Sequence, residues 1–165
     1  MADAGRSRLT SRIILIIVET AFWEKETDWK MNDVLALANV TYGFQDIGAA
    51  IASGSFSTMG MVVIPCSVKT LSAIANCYTD DLISRAADVT LKEGRPLVLV
   101  FRETPLHQGH IHLMNLAAQA GAVIFPPVPA FYTRPHSIDD IVNHIAGRVL
   151  ARMGIENEAY TQWKG

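Results

Sequence analysis

The sequence predicts a three-layer α/β fold built on a parallel sheet, and two observations lead to that prediction. Four short runs are almost entirely apolar and do not alternate apolar with polar residues. Unbroken apolar runs are typical of strands that are covered on both faces. Segments with the helical spacing of apolar residues follow these runs, and such alternation favours parallel strands joined by helices on both faces of the sheet.

The four predicted strands cover residues 13–18, 61–65, 96–102 and 122–126. Aliphatic and β-branched side chains dominate them, as in IILIIV and PLVLVFR. The longest aliphatic run, residues 13–18, is far too short to span a bilayer.

Four helices are predicted at residues 69–76, 81–92, 109–119 and 138–153. Gly94 and Gly121 follow the second and third helices as stop signals. Ser137, with Asp140 three residues later, has the pattern of a capping box and predicts the start of the fourth helix.

The composition indicates one globular domain. The chain has 165 residues, of which 50% are hydrophobic and 18% charged, and its net charge of -2 does not favour nucleic acid or an anionic membrane as partner. Residues 1–12 contain three arginines and one acid, and we expect a disordered leader there, with the folded domain at residues 13–165. Two cysteines without metal-binding spacing fit a reducing compartment, so we expect a cytoplasmic location and regard mitochondrial import as the weaker alternative.

Ligands of such folds bind beyond the carboxyl ends of the strands. Three of those ends carry polar groups that suit a phosphorylated ligand: PCSVKT, RETPLHQGH and PPVPAFYTRP. Ser67 and Thr70 lie at a predicted helix N-terminus, where hydroxyls either bind a phosphate or flavin or simply cap the helix. Lys69 alone is more often a solvated side chain.

Other charged residues allow two interpretations each. Arg102 and Glu103 close the third strand and form either a structural salt bridge or an anion-binding and proton-transferring pair. Arg85 and Lys92 lie two helical turns apart and face either a site or solvent. Arg148 interrupts an apolar helix face, where either a carboxylate or a bound phosphate could pair with it.

The aromatic and imidazole side chains also allow more than one interpretation. Tyr132 either donates its phenolic hydroxyl to a phosphate or caps a buried aromatic cluster with Phe131. His107, His110 and His112 suggest a zinc site, but no carboxylate or cysteine completes an obvious ligand set, so we predict no metal.

Together these stretches resemble the UbiX-type flavin prenyltransferase family, which includes the small B subunits of aromatic-acid decarboxylase systems. The resemblance runs from about Glu26 through RVLARMGI to Trp163 and rests on five motifs: SGSF, PCSVKTL, RAADVTLKE, LVLVFRETPLH and PPVPAFYTRP with SIDDIV. It implies a Rossmann- or flavodoxin-like flavoprotein fold. It also implies transfer of a dimethylallyl group from dimethylallyl phosphate to reduced FMN, which yields the cofactor of UbiD-type decarboxylases.

The resemblance assigns roles to residues of this chain by motif. FMN would be bound by Ser67, Val68, Lys69, Thr70 and Arg102. The phosphate of dimethylallyl phosphate would be held by Lys92, Tyr132 and Arg148. Glu26 and Glu103 would be the catalytic glutamates, with Glu103 as proton carrier. The family further implies a homo-oligomer as large as a dodecamer, with the active site near subunit contacts.

One family feature is missing from the sequence. Family members usually open with a strand and a GASG-like loop whose serine binds the flavin, whereas Gly5 is the only glycine before Gly43 here. We therefore expect the first βα unit to be missing, which would leave a central strand position empty and remove one wall of the flavin site. That loss favours an alternative function, a non-catalytic FMN-binding accessory subunit of a hydroxyarylic acid decarboxylase. A flavin-dependent cysteine decarboxylase of the same fold is disfavoured, because it has no allyl phosphate to hold.

Overall fold

The computed structural model of the chain describes residues 13–17 and 27–163. The fold separates into two compact units, with the boundary between Asp46 and Ile47. Residues 1–12, predicted as a leader, and the predicted catalytic residue Glu26 lie outside the described residues. No described helix has the length and apolar composition that crossing a bilayer requires.

The first unit contains a two-stranded parallel sheet. Strand β1 (Ile14–Ile17) confirms the strand predicted at residues 13–18, and it pairs with β2 (Val40–Gly43). Helix α1 (Met31–Ala36) lies between them in the chain. Neither β2 nor α1 was predicted, because β2 has only four residues of alternating exposure and α1 buries none of its side chains.

The second unit contains a three-stranded parallel sheet in the order β3–β4–β5. Its strands are β3 (Met61–Cys66), β4 (Leu97–Phe101) and β5 (Val123–Ile124). They confirm the three predicted strands, although β5 is shorter than expected. Phe125 still donates its N–H to the Leu99 carbonyl, but Pro126 and Pro127 have no N–H to continue the pairing.

Four helices belong to the second unit, close to their predicted bounds: α2 (Val68–Ala75), α3 (Leu82–Lys92), α4 (Gln108–Gln119) and α5 (Ile138–Arg152). The predicted capping box of α5 is present, since the N–H of Asp140 donates to Ser137 Oγ over 3.1 Å and Asp140 Oδ2 accepts from the N–H of Ser137. The N–H of His136 also donates to this carboxylate and is the main reason why the pKa of Asp140 is lowered. Short 3₁₀ turns occur at Ala50–Ala52 and Phe131–Thr133.

Strand β4 forms the centre of the core, since all five of its residues are buried. Val98 and Val100 pack with Val149 of α5 on one face of the sheet. The strand pleat directs the alternate residues Leu97 and Leu99 to the opposite face. Burial of each such aliphatic side chain contributes about 1.5–3 kcal/mol, so the sheet forms a rigid base for the loops at its ends.

Four strands have a neighbour on one side only within the described part of the chain. These are β1 and β2 in the first sheet, and β3 and β5 in the second.

Candidate functional site

The first group of predicted site residues lies at the carboxyl ends of the neighbouring strands β3 and β4. Cys66 pairs with Phe101 in the strand register, so the segments that follow leave the sheet at the same level. The N–H of Arg102 donates to the Cys66 carbonyl over 3.3 Å. We call this group the β3–β4 edge; it consists of Ser67, Val68, Lys69, Thr70, Arg102 and Glu103.

Ser67 is the N-cap of α2. Its Oγ accepts from the N–H of Thr70 over 3.3 Å and lies 3.2 Å from the hydroxyl oxygen of Thr70. Helix capping, one of the two interpretations of these hydroxyls, is therefore confirmed. Ser67 is nevertheless exposed, and both hydroxyls lie at the positive end of the helix dipole. A helix N-terminus with two hydroxyls beside it is suited to an anionic or strongly polar ligand.

Arg102 and Glu103 are both exposed and do not pair with each other. An ion pair joins Arg85 Nη1 to Asp88 Oδ2 over 3.8 Å, but none of the described contacts joins Arg102 to Glu103, so the structural salt bridge between these two residues is not formed. Oε1 of Glu103 accepts from the N–H of Thr104 over 3.0 Å. This bond orients the carboxylate at the end of β4, where a second oxygen can receive a proton.

Cys66 lies directly beneath the β3–β4 edge. The residue is fully buried, and its thiol contacts the carbonyl of Ser67 over 3.7 Å. Burial raises the pKa of the Cys66 thiol to about 12. The thiol therefore stays neutral under ordinary conditions and serves as packing below the site, not as a nucleophile.

A second predicted group lies beyond β5 and surrounds a pocket of about 150 Å³. We call it the β5 pocket. It is lined by residues from the strand end, the Phe131–Thr133 turn and α5: Phe125, Pro126, Val128, Ala130, Tyr132, His144, Ile145 and Arg148. The pocket thus brings together Tyr132 and Arg148, two of the three residues assigned to the phosphate.

Tyr132 is 48% exposed and is held by aromatic neighbours. Its ring packs edge-to-face on His144 and on Trp163, with ring centroids 5.9 and 5.6 Å apart. Its hydroxyl oxygen lies 3.5 Å from Nε2 of His144. Phe131 is 71% exposed, so the alternative in which Tyr132 and Phe131 form a buried cluster is wrong.

Arg148 is exposed at the rim of the β5 pocket, although Gly147 and Val149 on either side of it are buried. Each helical residue is rotated by about 100° from the next, which turns residue 148 away from the core. No carboxylate of the described residues lies within ion-pair distance of its guanidinium. The carboxylate-paired alternative for Arg148 thus receives no support, and its charge is available to a ligand in the pocket.

Lys92 does not join Tyr132 and Arg148 within one chain. It is the exposed last residue of α3, and the chain re-enters the sheet at Leu97, the amino end of β4. The β3–β4 edge lies at the carboxyl end of β4, and the five residues of that strand span roughly 15 Å between its two ends. Arg85, two turns before Lys92 on α3, is half-buried and donates from Nε to the Ala52 carbonyl.

The SGSF motif lies at this amino edge as well, and Arg95 holds it. The guanidinium of Arg95 donates to the carbonyls of Gly54 and Phe56, each over 2.8 Å. Sequence reasoning missed this role, because bonds to backbone carbonyls follow from the path of the loop and leave no motif in the sequence.

The predicted absence of a metal site rests on the histidines of RETPLHQGHIH. His107 is the N-cap of α4 through Nδ1, which accepts from the N–H of Gly109, and its ring stacks on His110 at 3.7 Å between centroids. Within residues 13–17 and 27–163, no three His, Cys, Asp or Glu side chains come together as metal ligands. Sequence reasoning also missed His144, which the structure places between Tyr132 and Tyr160.

Comparison with known proteins shows the class of protein to which this chain belongs. A family model described as Flavoprotein matches residues 14–150, so the chain belongs to the flavoprotein family. It is also 57% identical over 142 residues to the flavin prenyltransferase UbiX of Escherichia coli strain K12, covering 85% of this chain and 75% of that protein. The chain is therefore a member of the UbiX flavin prenyltransferase family.

Two solved structures share its fold. The crystal structure of AnUbiX (PadA1) in complex with FMN and dimethylallyl pyrophosphate matches with a TM-score of 0.92 and 46% identity, over 96% of this chain and 85% of that one. The dodecameric FMN-dependent UbiX-like decarboxylase of Escherichia coli O157:H7 also gives a TM-score of 0.92, with 44% identity over 96% and 86% of the two chains. The predicted flavodoxin-like fold and the family resemblance are confirmed.

Proposed function

We propose that this chain transfers a dimethylallyl group from dimethylallyl phosphate to reduced FMN. One observation carries the proposal: a chain 57% identical to a flavin prenyltransferase presents two separate groups for anionic ligands at the carboxyl ends of its strands. One group is the β3–β4 edge and the other is the β5 pocket. A prenyl transfer between two phosphorylated molecules needs such a pair of sites.

The β3–β4 edge fits FMN. The paired hydroxyls of Ser67 and Thr70 lie at the N-terminus of α2, and the exposed Arg102 leaves the sheet at the same level. Hydroxyls and a guanidinium of this kind can bind the polar ring atoms and the phosphate of a flavin mononucleotide. Val68 and Lys69 provide the backbone of the same helical turn.

The β5 pocket fits the phosphate of the allylic ester. When reduced FMN is bound, it supplies the electron pair for the new bond, while the carbon–oxygen bond of the ester breaks and its pair leaves on the phosphate. Arg148 offers a cation and up to two parallel N–H donors to that phosphate, and the Tyr132 hydroxyl offers one more. Donors positioned where negative charge grows stabilise the leaving group without a metal.

Glu103 is proposed to move a proton. Its Oε1 is held by the N–H of Thr104, which leaves Oε2 to accept the proton released when the flavin is alkylated. We assign the second catalytic carboxylate to Glu26 on the family motif alone. The alternative of a non-catalytic accessory subunit is not favoured, because the relatives of this chain are named as enzymes.

Lys92 is proposed to reach the phosphate of a neighbouring subunit. Within its own chain it lies at the amino edge of the sheet, away from Tyr132 and Arg148. The related decarboxylase of E. coli O157:H7 is dodecameric, and we propose a homo-oligomer for this chain as well.

Exposed apolar residues of the loop after β5 and the C-terminal segment support that assembly. Val128, Phe131 and Trp163 are 71%, 71% and 70% exposed. Light scattering at micromolar concentration should give a mass several times 18.1 kDa; a clean monomer would contradict the assembly.

The destination of the product is proposed on family grounds. We propose that a UbiD-type decarboxylase receives the prenylated FMN, and that both proteins act in the cytoplasm. Pull-down of a co-expressed UbiD-type protein, or its activation by product made with this chain, would test the pairing.

The proposed activity is tested by anaerobic incubation with reduced FMN and dimethylallyl phosphate, followed by mass detection of prenylated FMN. Two forms are compared: the chain of 165 residues, and the same chain preceded by a family-type strand and GASG loop. We expect the longer form to be the more active, because two further hydrogen bonds to the flavin are worth about 1–3 kcal/mol, or roughly 5- to 150-fold in affinity. FMN binding without product from either form would instead support the accessory-subunit function.

A further inference from the structure

The β5 pocket contains a buried imidazole to which neither the sequence motifs nor the proposed chemistry assigns a role. His144 is only 7% exposed and lies on α5 one turn before Arg148. Residues four apart share one face of a helix, and both side chains line the same pocket. A buried polar side chain needs a hydrogen-bond partner, so the partner of His144 shows what it does.

That partner is Tyr132. Within the described residues, the hydrogen bond of His144 runs between Nε2 and the Tyr132 hydroxyl, at 3.5 Å. The two rings meet edge-to-face at 84°, and Tyr160 packs on the other side of the imidazole at 6.2 Å between centroids. His144 is therefore held between two tyrosine rings, with one nitrogen directed at the phenol that faces the pocket.

The direction of this hydrogen bond decides its consequence. A phenol has one proton and can both donate and accept. If the N–H of His144 Nε2 donates to the phenolic oxygen, the Tyr132 proton is left for a phosphate oxygen. If Nε2 accepts instead, Tyr132 donates its proton to His144. The phenolic oxygen then offers the phosphate only lone pairs, which repel the anion.

We infer that His144 is a positioning residue for the phosphate site, whose Nε2–H donates to Tyr132 and thereby turns the phenolic proton toward the substrate phosphate. The inference rests on the proposed function and names a residue of the same site. The separation of 3.5 Å lies at the long end of hydrogen-bond distances. Arg148 supplies the charge, and His144 sets the donor direction of the phenol beside it.

The test compares five variants in the most active form of the full chain. His144→Phe keeps a flat ring between Tyr132 and Tyr160 but removes the nitrogen, whereas His144→Gln keeps an N–H donor. His112→Gln, at an exposed histidine of α4, is the matched control. Tyr132→Phe alone is the fourth variant, and the fifth combines it with His144→Phe. Thermal unfolding shows whether each variant is folded.

We expect His144→Phe to raise the KM for dimethylallyl phosphate about 2- to 10-fold, the usual value of one hydrogen bond, and to leave the Kd for FMN unchanged. His144→Gln should recover most of the loss, and His112→Gln should have no effect. In a Tyr132→Phe background, His144→Phe should add nothing. Equal effects of His144→Phe with and without the Tyr132 hydroxyl would overturn the inference, because they would show plain packing.

A second measurement does not depend on turnover. The C–O stretching band of the Tyr132 phenol, assigned in infrared difference spectra with Tyr132→Phe, should shift in His144→Phe and not in His144→Gln. An unchanged band in folded His144→Phe would overturn the inference. Failure of the parent protein to bind dimethylallyl phosphate, with FMN present, would show that the proposed function itself is wrong, and the role of His144 toward a phosphate would fall with it.

Discussion

The β3–β4 edge and the β5 pocket are the two proposed ligand sites of one sheet, but they are built in different ways. The β3–β4 edge consists of consecutive residues after two strands, and the pairing of Cys66 with Phe101 brings the two segments together. The β5 pocket instead combines a 3₁₀ turn, one face of α5 and the C-terminal Trp163, which are distant in sequence. Local chain geometry places the first group, and tertiary packing places the second.

This difference has a chemical counterpart. At the β3–β4 edge, a helix N-terminus and two hydroxyls offer hydrogen bonds, and the charges of Lys69, Arg102 and Glu103 lie on exposed side chains beside them. In the β5 pocket, a full positive charge on Arg148 lies next to a phenol and a buried imidazole. The first arrangement suits a large polar ring system, and the second suits a compact anion that leaves with its charge. Substitutions should therefore separate the two ligands.

The largest effect should come from Glu103, which we propose moves a proton in the reaction and binds neither ligand. Glu103→Gln keeps the shape and the bond to the Thr104 N–H but cannot accept a proton. We expect turnover to fall about 10²- to 10⁴-fold, with both affinities nearly unchanged. Mass detection of prenylated FMN measures turnover, and Glu158→Gln, at an exposed glutamate of the C-terminal segment, is the control. A Glu103→Gln variant with ordinary turnover would remove this residue from the proton transfer.

The next effect tests whether the β3–β4 edge stands on a rigid base. Because burial raises the pKa of Cys66 to about 12 from the ordinary 9.0, its thiolate fraction at pH 8 is lower by a factor of about 10³. We expect a thiol reagent to modify Cys66 in native protein at least that much more slowly than in urea, while the exposed Cys77 reacts in both. Peptide mapping measures the rate of modification at each cysteine, and Cys77→Ser removes the fast reaction of the exposed thiol.

The raised pKa of Cys66 also has a consequence for stability. A group whose pKa is higher in the folded state stabilises the fold below its unfolded pKa and loses that contribution as pH rises through the folded pKa. The free energy of unfolding should therefore decline between pH 9 and about 12 by an amount that Cys66→Ala abolishes. Rapid native labelling of Cys66, or no such decline, would show that the edge is mobile.

Arg148 should give a smaller but selective effect. Arg148→Ala removes a charged donor, and such bonds are worth about 1.5–3 kcal/mol, or roughly 10- to 150-fold in affinity. We expect this loss for dimethylallyl phosphate alone. Arg152→Ala, one turn later on α5, is a matched control with an exposed arginine. Calorimetric titration of each variant with the ester, in the presence of FMN, measures the effect; equal losses in both variants would indicate only general charge attraction.

The smallest effect should come from Ser67. Ser67→Ala removes one hydroxyl from the flavin side and the N-cap of α2. We expect FMN affinity to fall about 2- to 10-fold and stability to fall by about 1 kcal/mol. Ser137→Ala removes the N-cap of α5 and should cost similar stability without changing FMN affinity. Loss of FMN affinity in Ser137→Ala as well would mean that the flavin effect reflects unfolding.

The same contrast explains how much the sequence could predict. Unbroken apolar runs predicted β1, β3, β4 and β5, and the residues after β3 and β4 followed from them, because the ends of adjacent parallel strands meet at one edge. The four-residue strand β2 left no clear pattern. Family motifs singled out Tyr132 and Arg148, but His144 lies between two rings that come from other parts of the chain, and no spacing rule connects them. Lys92 was assigned to the same phosphate, yet its helix ends at the opposite edge of the sheet.

The central claim is that two arginines of this chain bind two different ligands, and a crossed titration tests it most directly. FMN binding is followed by quenching of flavin fluorescence, and dimethylallyl phosphate binding by calorimetry, for Arg102→Ala and for Arg148→Ala. We predict that Arg102→Ala weakens FMN and that Arg148→Ala weakens only the ester, each by roughly 10- to 150-fold. Loss of FMN binding in Arg148→Ala, with Arg102→Ala unaffected, would contradict the assignment of the two regions.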